Sequence, residues 1–201
     1  MKEYSLKSLI YNSAVGKNPV FVTGLVIAPA VVYANTFTRA LTLAAAFSFL
    51  TLFTLLFSSF VPRKIVYTIR ITLYTIIGAL VYVPVAIILN AFIPEQIGSM
   101  GIYFPLLITN SFIVSRSETT FFAESKGKMF FDILFSIMGY DIAVILYGLI
   151  REVISTGEVN GQVIAMPFSF SVFSSVYGGF ILLGILAAAF RGILYLVKKI
   201  S

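Results

Sequence analysis

Two stretches decide how this chain folds: PVFVTGLVIAPAVVYA at residues Pro19–Ala34 and IGSMGIYFPLLITNSFIV at residues Ile97–Val114. Both are apolar enough to enter a bilayer, and both carry helix breakers. Gly24 and Pro29 interrupt the first; Gly98, Gly101 and Pro105 interrupt the second. Each opens its half of the chain, and each ends near an asparagine, Asn35 or Asn110. Gly/Pro-interrupted segments at matching positions of two halves point to an inverted-repeat membrane protein. Its functional site lies where the broken helices meet, near the midplane.

Composition agrees with a membrane assignment. Of 201 residues, 59% are hydrophobic and only 11% charged, against roughly 45–50% and about 25% in soluble domains. Little is left for a soluble domain, so residues 1–201 read as one integral membrane domain, with halves at about 1–94 and 95–201. The chain has no His and no Cys. That excludes imidazole or thiolate metal sites and disulfides within it.

Outward from the broken stretches, the remaining apolar runs give four more spans. They are about Ala40–Val61, Ile71–Ile93 with a kink at Pro84, Met129–Ile150, and Phe170–Phe190. The expected fold is an all-α membrane protein of six transmembrane helices, a 3+3 inverted repeat with broken first and fourth helices. Twelve of the fourteen Lys and Arg fall in the N-terminus, the loops after spans two and four, and the C-terminus; only Arg39 and Arg151 lie on the other side. The positive-inside rule then puts both termini in the cytoplasm of a multi-pass protein. The net charge of +6 is explained by this topology, and no nucleic-acid partner is expected. Lys2, Lys7 and Lys17 followed by an apolar run ending Val32-Tyr33-Ala34 also have the outline of a cleavable signal. The breakers inside the run and the five further spans favour retention.

Charges within spans are the next signal. Asp141 falls near the middle of span five. A carboxylate there costs roughly 2.5–3.5 kcal/mol on insertion scales, so it is a candidate ion or proton site; the alternative is a neutral or paired structural acid. Asn35 and Asn110 are candidates to serve backbone groups freed where the half-helices break, and they lie on the same candidate ion pathway. Asp132 is expected to cap its helix or meet Lys126 or Lys128. It sits nine residues from Asp141, about 180° around the helix, so the two do not form one acid pair. Arg116 and Glu118, and Arg151 and Glu152, are candidates for structural or partner contacts, with interfacial anchoring as the plain alternative. No catalytic residue and no metal ligand is identified.

Three blocks resemble a known family. Asn18-Pro19-Val20-Phe21-Val22 with Gly24, Pro29 and Ala34-Asn35-Thr36 resembles the first span of the integral membrane subunits of Rnf and Nqr complexes. Phe104-Pro105-Leu106-Leu107-Ile108-Thr109-Asn110-Ser111, then Ser115-Arg116-Ser117-Glu118, resembles that family's motif P-L-I-x-T-N-C followed by G-R-A-E. The run from Asp132 through Gly139 and Gly148 to Arg151-Glu152 resembles its fifth span. A cytoplasmic N-terminus matches the RnfE/NqrD branch. The resemblance implies a subunit of an ion-translocating electron-transport complex in a prokaryotic cytoplasmic (inner) membrane, a translocase to which it contributes no catalytic residue. It implies an oppositely oriented homologous partner, further Rnf/Nqr-type subunits, and a shared intramembrane [2Fe–2S] cluster.

The chain departs from the family where that cluster would be held. Ala28 precedes Pro29 where the family has its first cysteine, and Ser111 follows Asn110 where it has the second. Clusters need thiolates or, occasionally, imidazoles. No cofactor is therefore expected in this chain, and its contribution reads as structural or ion-conducting. A natural cluster-free homologue, an engineered Cys-free variant, and a partner supplying the remaining ligands or another relay all fit this pattern. A six-span basic chain of this size also suits a transporter component such as the substrate-binding subunit of an energy-coupling-factor vitamin transporter. The Thr-Asn and Arg-x-Glu block argues against that.

Overall fold

The structure is a computed structural model that describes residues 11–120, 126–163 and 169–200. Lys2 and Lys7, used above for topology, lie outside the described residues.

The first stretch does not form a span-length helix. A π-turn at Tyr11–Gly16 and a run of turns lead to a short helix α1, Ile27–Tyr33. Two residues force the change of direction. Gly24 has φ +67°, and Val26 has φ 56°, ψ 34°. The left-handed region suits glycine but is an outlier for a β-branched residue, at a cost of order 1–3 kcal/mol.

Helix α2, Phe37–Ser58, begins at Thr36, whose hydroxyl accepts the Arg39 N–H at 3.3 Å. Helix α3, Tyr67–Phe92, carries Pro84 in its interior. Then comes the second broken stretch: α4 at Pro94–Met100, a reversal at Gly101 with φ +51°, α5 at Tyr103–Leu106, a 3₁₀ turn at Leu107–Thr109, and α6 at Ser111–Thr120. The pair from Pro94 to Thr119 bends by 72° at its break. Helix α7 runs Lys126–Thr156, a hairpin pairs β1 (Glu158–Val159) with β2 (Gln162–Val163), and α8 runs Val176–Ile200.

Among the described residues, four helices are long and apolar enough to cross a membrane, and the bent pair makes up to five. The described residues are mostly helical, and the small hairpin is the one element outside that pattern among them. The last span begins about six residues later than expected, because Ser171–Ser174 form a 3₁₀ turn. The expected count of six needs the first stretch to be counted as a span although only seven of its residues are α-helical.

The centre of the molecule is the antiparallel contact of α2 with α7. Ala40 lies against Gly148, Phe47 stacks on Tyr140 with ring centroids 3.8 Å apart, and Ser48 meets Asp141. Glycine permits the approach. A Cβ at Gly148 would collide with the Ala40 methyl and come 3.1 Å from Thr36 O, and one at Gly139 would lie 2.7 Å from Ala14 O. The outward faces of α3 and α8 are apolar and exposed, as in Leu80, Ile87, Ile185 and Ile193. Those are the faces that acyl chains would cover.

Candidate functional site

A break in a helix within a bilayer frees backbone groups that water cannot serve. In the first stretch, side chains serve them. Asn18 Oδ1 accepts the N–H groups of Val20 and Phe21 at 3.0 Å each, while its Nδ2 donates to Ala14 O at 3.0 Å and Gly139 O at 2.8 Å. Arg191, from α8, donates to the carbonyls of Phe21 and Val22. Arg151 is 1% exposed and donates to Val31 O in α1 and to the carbonyls of Phe173, Ser174 and Ser175. Its neighbour Glu152 accepts Phe37 N–H at 2.8 Å, at the start of α2, and Asn160 N–H at 3.2 Å in the hairpin turn. Anchoring at an interface, the plain alternative for Arg151 and Glu152, does not describe buried side chains that tie α7 to backbone elsewhere in the chain.

The second stretch is served more locally. Asn110 Oδ1 accepts Ile113 N–H at 2.9 Å and caps α6, and its Nδ2 donates to Leu107 O at 2.6 Å. Tyr33 OH donates to Gln96 O at 2.8 Å and sits 2.8 Å from Ser99 Oγ, which ties α1 to α4. The Asn35 side chain, by contrast, accepts from Arg39 at 3.0 Å, within its own stretch of chain.

These anchors bring the starts of two half-helices together. Ala28 in the first turn of α1 and Ser111 at the start of α6 are exposed and line one depression of about 330 Å³, with Gly24, Val26, Leu106 and Asn110. The strained Val26 is part of its wall. The [2Fe–2S] cluster implied by the family resemblance would sit here, and the residues present do not fit it. Alanine offers a methyl group and Ser111 a single hydroxyl, where thiolates are required. The chain has no cysteine, and among the described residues no group of three or more His, Cys, Asp or Glu side chains could hold a metal.

The remaining charged candidates separate into two ion pairs and one further acid. Arg116 Nη1 donates to Asp132 Oδ2 at 3.0 Å, and Ser13 Oγ donates to Asp132 Oδ1 at 2.5 Å. Asp132, expected to cap its helix or meet Lys126 or Lys128, has its carboxylate held by α6 and the N-terminal turn, because it lies on the side of α7 that faces them. Glu118 accepts from Arg70 and from Tyr74 OH, the latter at 2.9 Å. Asp141 is half-buried, and its Oδ2 accepts from Ser48 Oγ. Its Oδ1 is buried without a partner.

Several of these partners carry no mark that would single them out in the sequence. Ser48 and Ser13 are ordinary small residues, and Arg191 reads as a flanking charge. Asn18 before Pro19 is a turn signal, although nothing in one sequence says that it also reaches Gly139.

A model of the family described as "Rnf-Nqr subunit, membrane protein" matches residues 6–197. The chain is 30% identical over 153 residues to a subunit of the ion-translocating oxidoreductase complex of Haemophilus ducreyi, covering 76% of this chain and 67% of that protein. It is 25% identical over 194 residues to a subunit of the proton-translocating ferredoxin:NAD(+) oxidoreductase complex of Clostridium ljungdahlii, covering 92% and 87%. It is 26% identical over 157 residues to a subunit of the Na(+)-translocating NADH-quinone reductase of Pseudomonas paraeruginosa, covering 78% and 70%. Nothing in these similarities supports the vitamin-transporter reading. With its paired broken stretches and a family match over nearly its whole length, this chain belongs to the Rnf-Nqr family of membrane subunits.

Proposed function

We propose that this chain is the cluster-free member of a pair of homologous, oppositely oriented subunits in an Rnf/Nqr-type ion-translocating electron-transport complex. It sits in a prokaryotic inner membrane with both termini in the cytoplasm. Its six apolar segments act as a 3+3 inverted repeat, the first and fourth being the broken ones. It supplies scaffold and an ion path, with Asp141, Asn35 and Asn110 along that path, and it binds no cofactor of its own. Electrons take another route through the complex.

The observation that carries this reading is the shared depression of Ala28 and Ser111. Two half-helices start there, and neither side chain can bind iron. A chain that keeps this geometry and lacks the ligands keeps the scaffold role. The chain-wide family match supports the placement among complex subunits.

The test is affinity capture of the tagged chain from its host's membranes in mild detergent. Stoichiometric recovery of other Rnf/Nqr-type subunits is expected. Recovery of ATPase subunits in their place would overturn the reading.

A further inference from the structure

We infer that α2, α6 and α7 enclose a one-sided access lane for a small monovalent cation. It runs from the Lys/Arg-rich end of the molecule to Asp141.

Seven buried side-chain oxygens among the described residues have no hydrogen-bond partner. They are the hydroxyls of Thr51, Thr54 and Ser58 on α2, Ser117 on α6, and Ser136 and Tyr140 on α7, together with Asp141 Oδ1. The six hydroxyl-bearing residues are each 0% exposed. Helical threonines can satisfy themselves on the carbonyl one turn back. Thr42, Thr72, Thr75 and Thr119 in this chain do so, at 2.7–3.2 Å. Thr51 and Thr54 do not. A buried hydroxyl is costly to leave without a partner, and six in one part of a core are places that water or an ion can serve.

The positions form a line. Phe47 stacks on Tyr140 and meets Phe112 edge-on at 5.6 Å, so its side of α2 faces α7 and α6. Thr51, Thr54 and Ser58 follow Phe47 at steps of four, three and four, on the same face. Ser136 and Tyr140 are one turn apart on α7, directly opposite, because Ser48–Asp141 and Phe47–Tyr140 fix an antiparallel register.

The dimensions match half a bilayer. Asp141 is the central residue of α7, which runs Lys126–Thr156. From its partner Ser48 to Ser58 is ten residues, about 15 Å of helix, against about 30 Å of hydrocarbon. Beyond Asp141 the pattern stops. Thr42 is self-bonded, Tyr147 OH donates to Gly179 O at 3.0 Å, and Arg151 spends its donors on carbonyls. The lane therefore opens toward one side only.

An opening of about 140 Å³ between α3 and α6, lined by Ile71, Tyr74, Ile108 and Ile113, lies beside the lane. That is room for several waters, each occupying about 30 Å³. Ile108 Cγ2, on the opening, and Thr54 Cγ2, in the lane, both border Gly78. The Arg70–Glu118 ion pair, with Tyr74 OH on the same carboxylate, stands at this end.

The lane gives the ion path of the proposed function a route and a direction, and it rests on that reading for its role in the complex. It is tested separately from that reading. The chain has no native cysteine, so single thiols can be read without background. Thr51→Cys, Thr54→Cys, Ser58→Cys and Ser136→Cys are made in the full chain within its complex, each checked for membrane level. Sealed vesicles of both orientations are exposed to silver ion. Lane thiols should react from the Lys/Arg-rich side at least about ten-fold faster than Leu50→Cys and Leu55→Cys, because reactive thiolate requires hydration. They should be far slower from the opposite side. Added Na⁺ that slows silver at Thr51→Cys would identify the cation as Na⁺. Lane thiols as inert as the leucine-position controls, or equally reactive from both sides, would overturn the inference. Failure of the capture experiment with lane reactivity intact would remove the complex and keep the lane.

Discussion

Arg151 and Glu152 are neighbours on α7 that hold different parts of the molecule. Arg151 gathers carbonyls from α1 and from the turn before α8, and Glu152 receives the first N–H of α2. Replacing Arg151 with Met leaves those carbonyls unserved. It should lower stability by about 3 kcal/mol or more, since hydrogen bonds to charged groups contribute about 1.5–3 kcal/mol each and buried orphans add to the loss. Thermal unfolding in detergent should show a large drop for Arg151→Met, and Arg151→Lys should recover only part of it, because one ammonium cannot reproduce the fork. Wild-type melting for either variant would contradict the clamp. Arg116 and Glu118, two residues apart, are likewise not partners: one meets Asp132 and the other Arg70 and Tyr74. The acidic and basic candidates can be found in the sequence because charge is rare in it. Their partners cannot, because Ser48, Ser13 and backbone carbonyls carry no compositional signal. The hydroxyls of Thr51 and Thr54 look like any threonine in a membrane helix until their lack of a partner is seen.

The two breaks behave as elements in their own right. Gly101 turns the chain with φ +51° and nothing within 4 Å of where a Cβ would lie, and Gly98 has the same free space without the positive φ. Conformation alone therefore separates them. Gly101→Ala should cost about 1–2 kcal/mol through the disfavoured backbone region, while Gly98→Ala, within α4, should be neutral or stabilising by up to about 1 kcal/mol. Equal effects of the two substitutions on unfolding would contradict a conformational origin of the bend. Packing glycines form the second class. Gly148→Ala pushes a methyl into Ala40 and toward Thr36 O, so it should destabilise by about 1–3 kcal/mol and loosen the α2–α7 contact, read as faster amide exchange in both helices. The breakers are legible because Gly and Pro mark breaks whatever surrounds them. The extent of the first segment is not. Hydropathy sees one largely apolar stretch of sixteen residues at Pro19–Ala34, whereas the backbone spends the first half in turns held by Asn18 and Arg191 and only the second half in helix. The late start of α8 has a similar cause, since the apolar run reaches back through Phe170 while the backbone tightens to a 3₁₀ turn under Arg151.

In the whole molecule, the scaffold and the chemistry come apart. The family match spans residues 6–197, and the half-helix starts that line one depression are in place, yet Ala28 and Ser111 occupy it. On the proposed reading the subunit carries load, orients a partner and passes an ion along α2 and α7. It has no thiolate with which to hold iron. The proposed orientation rests on the distribution of Lys and Arg: a reporter active only outside the cytoplasm, fused after Ser201, should be silent, and strong activity there would reverse the topology. The most direct measurement of the cluster-free role is made on the chain purified anaerobically, by assaying iron and acid-labile sulfide and recording the visible spectrum. Neither iron nor sulfide in stoichiometric amount is expected, for the wild type or for the Ala28→Cys/Ser111→Cys variant purified alone, because two thiolates are half of the four a [2Fe–2S] cluster requires. Stoichiometric iron with sulfide in the wild-type chain would contradict the account.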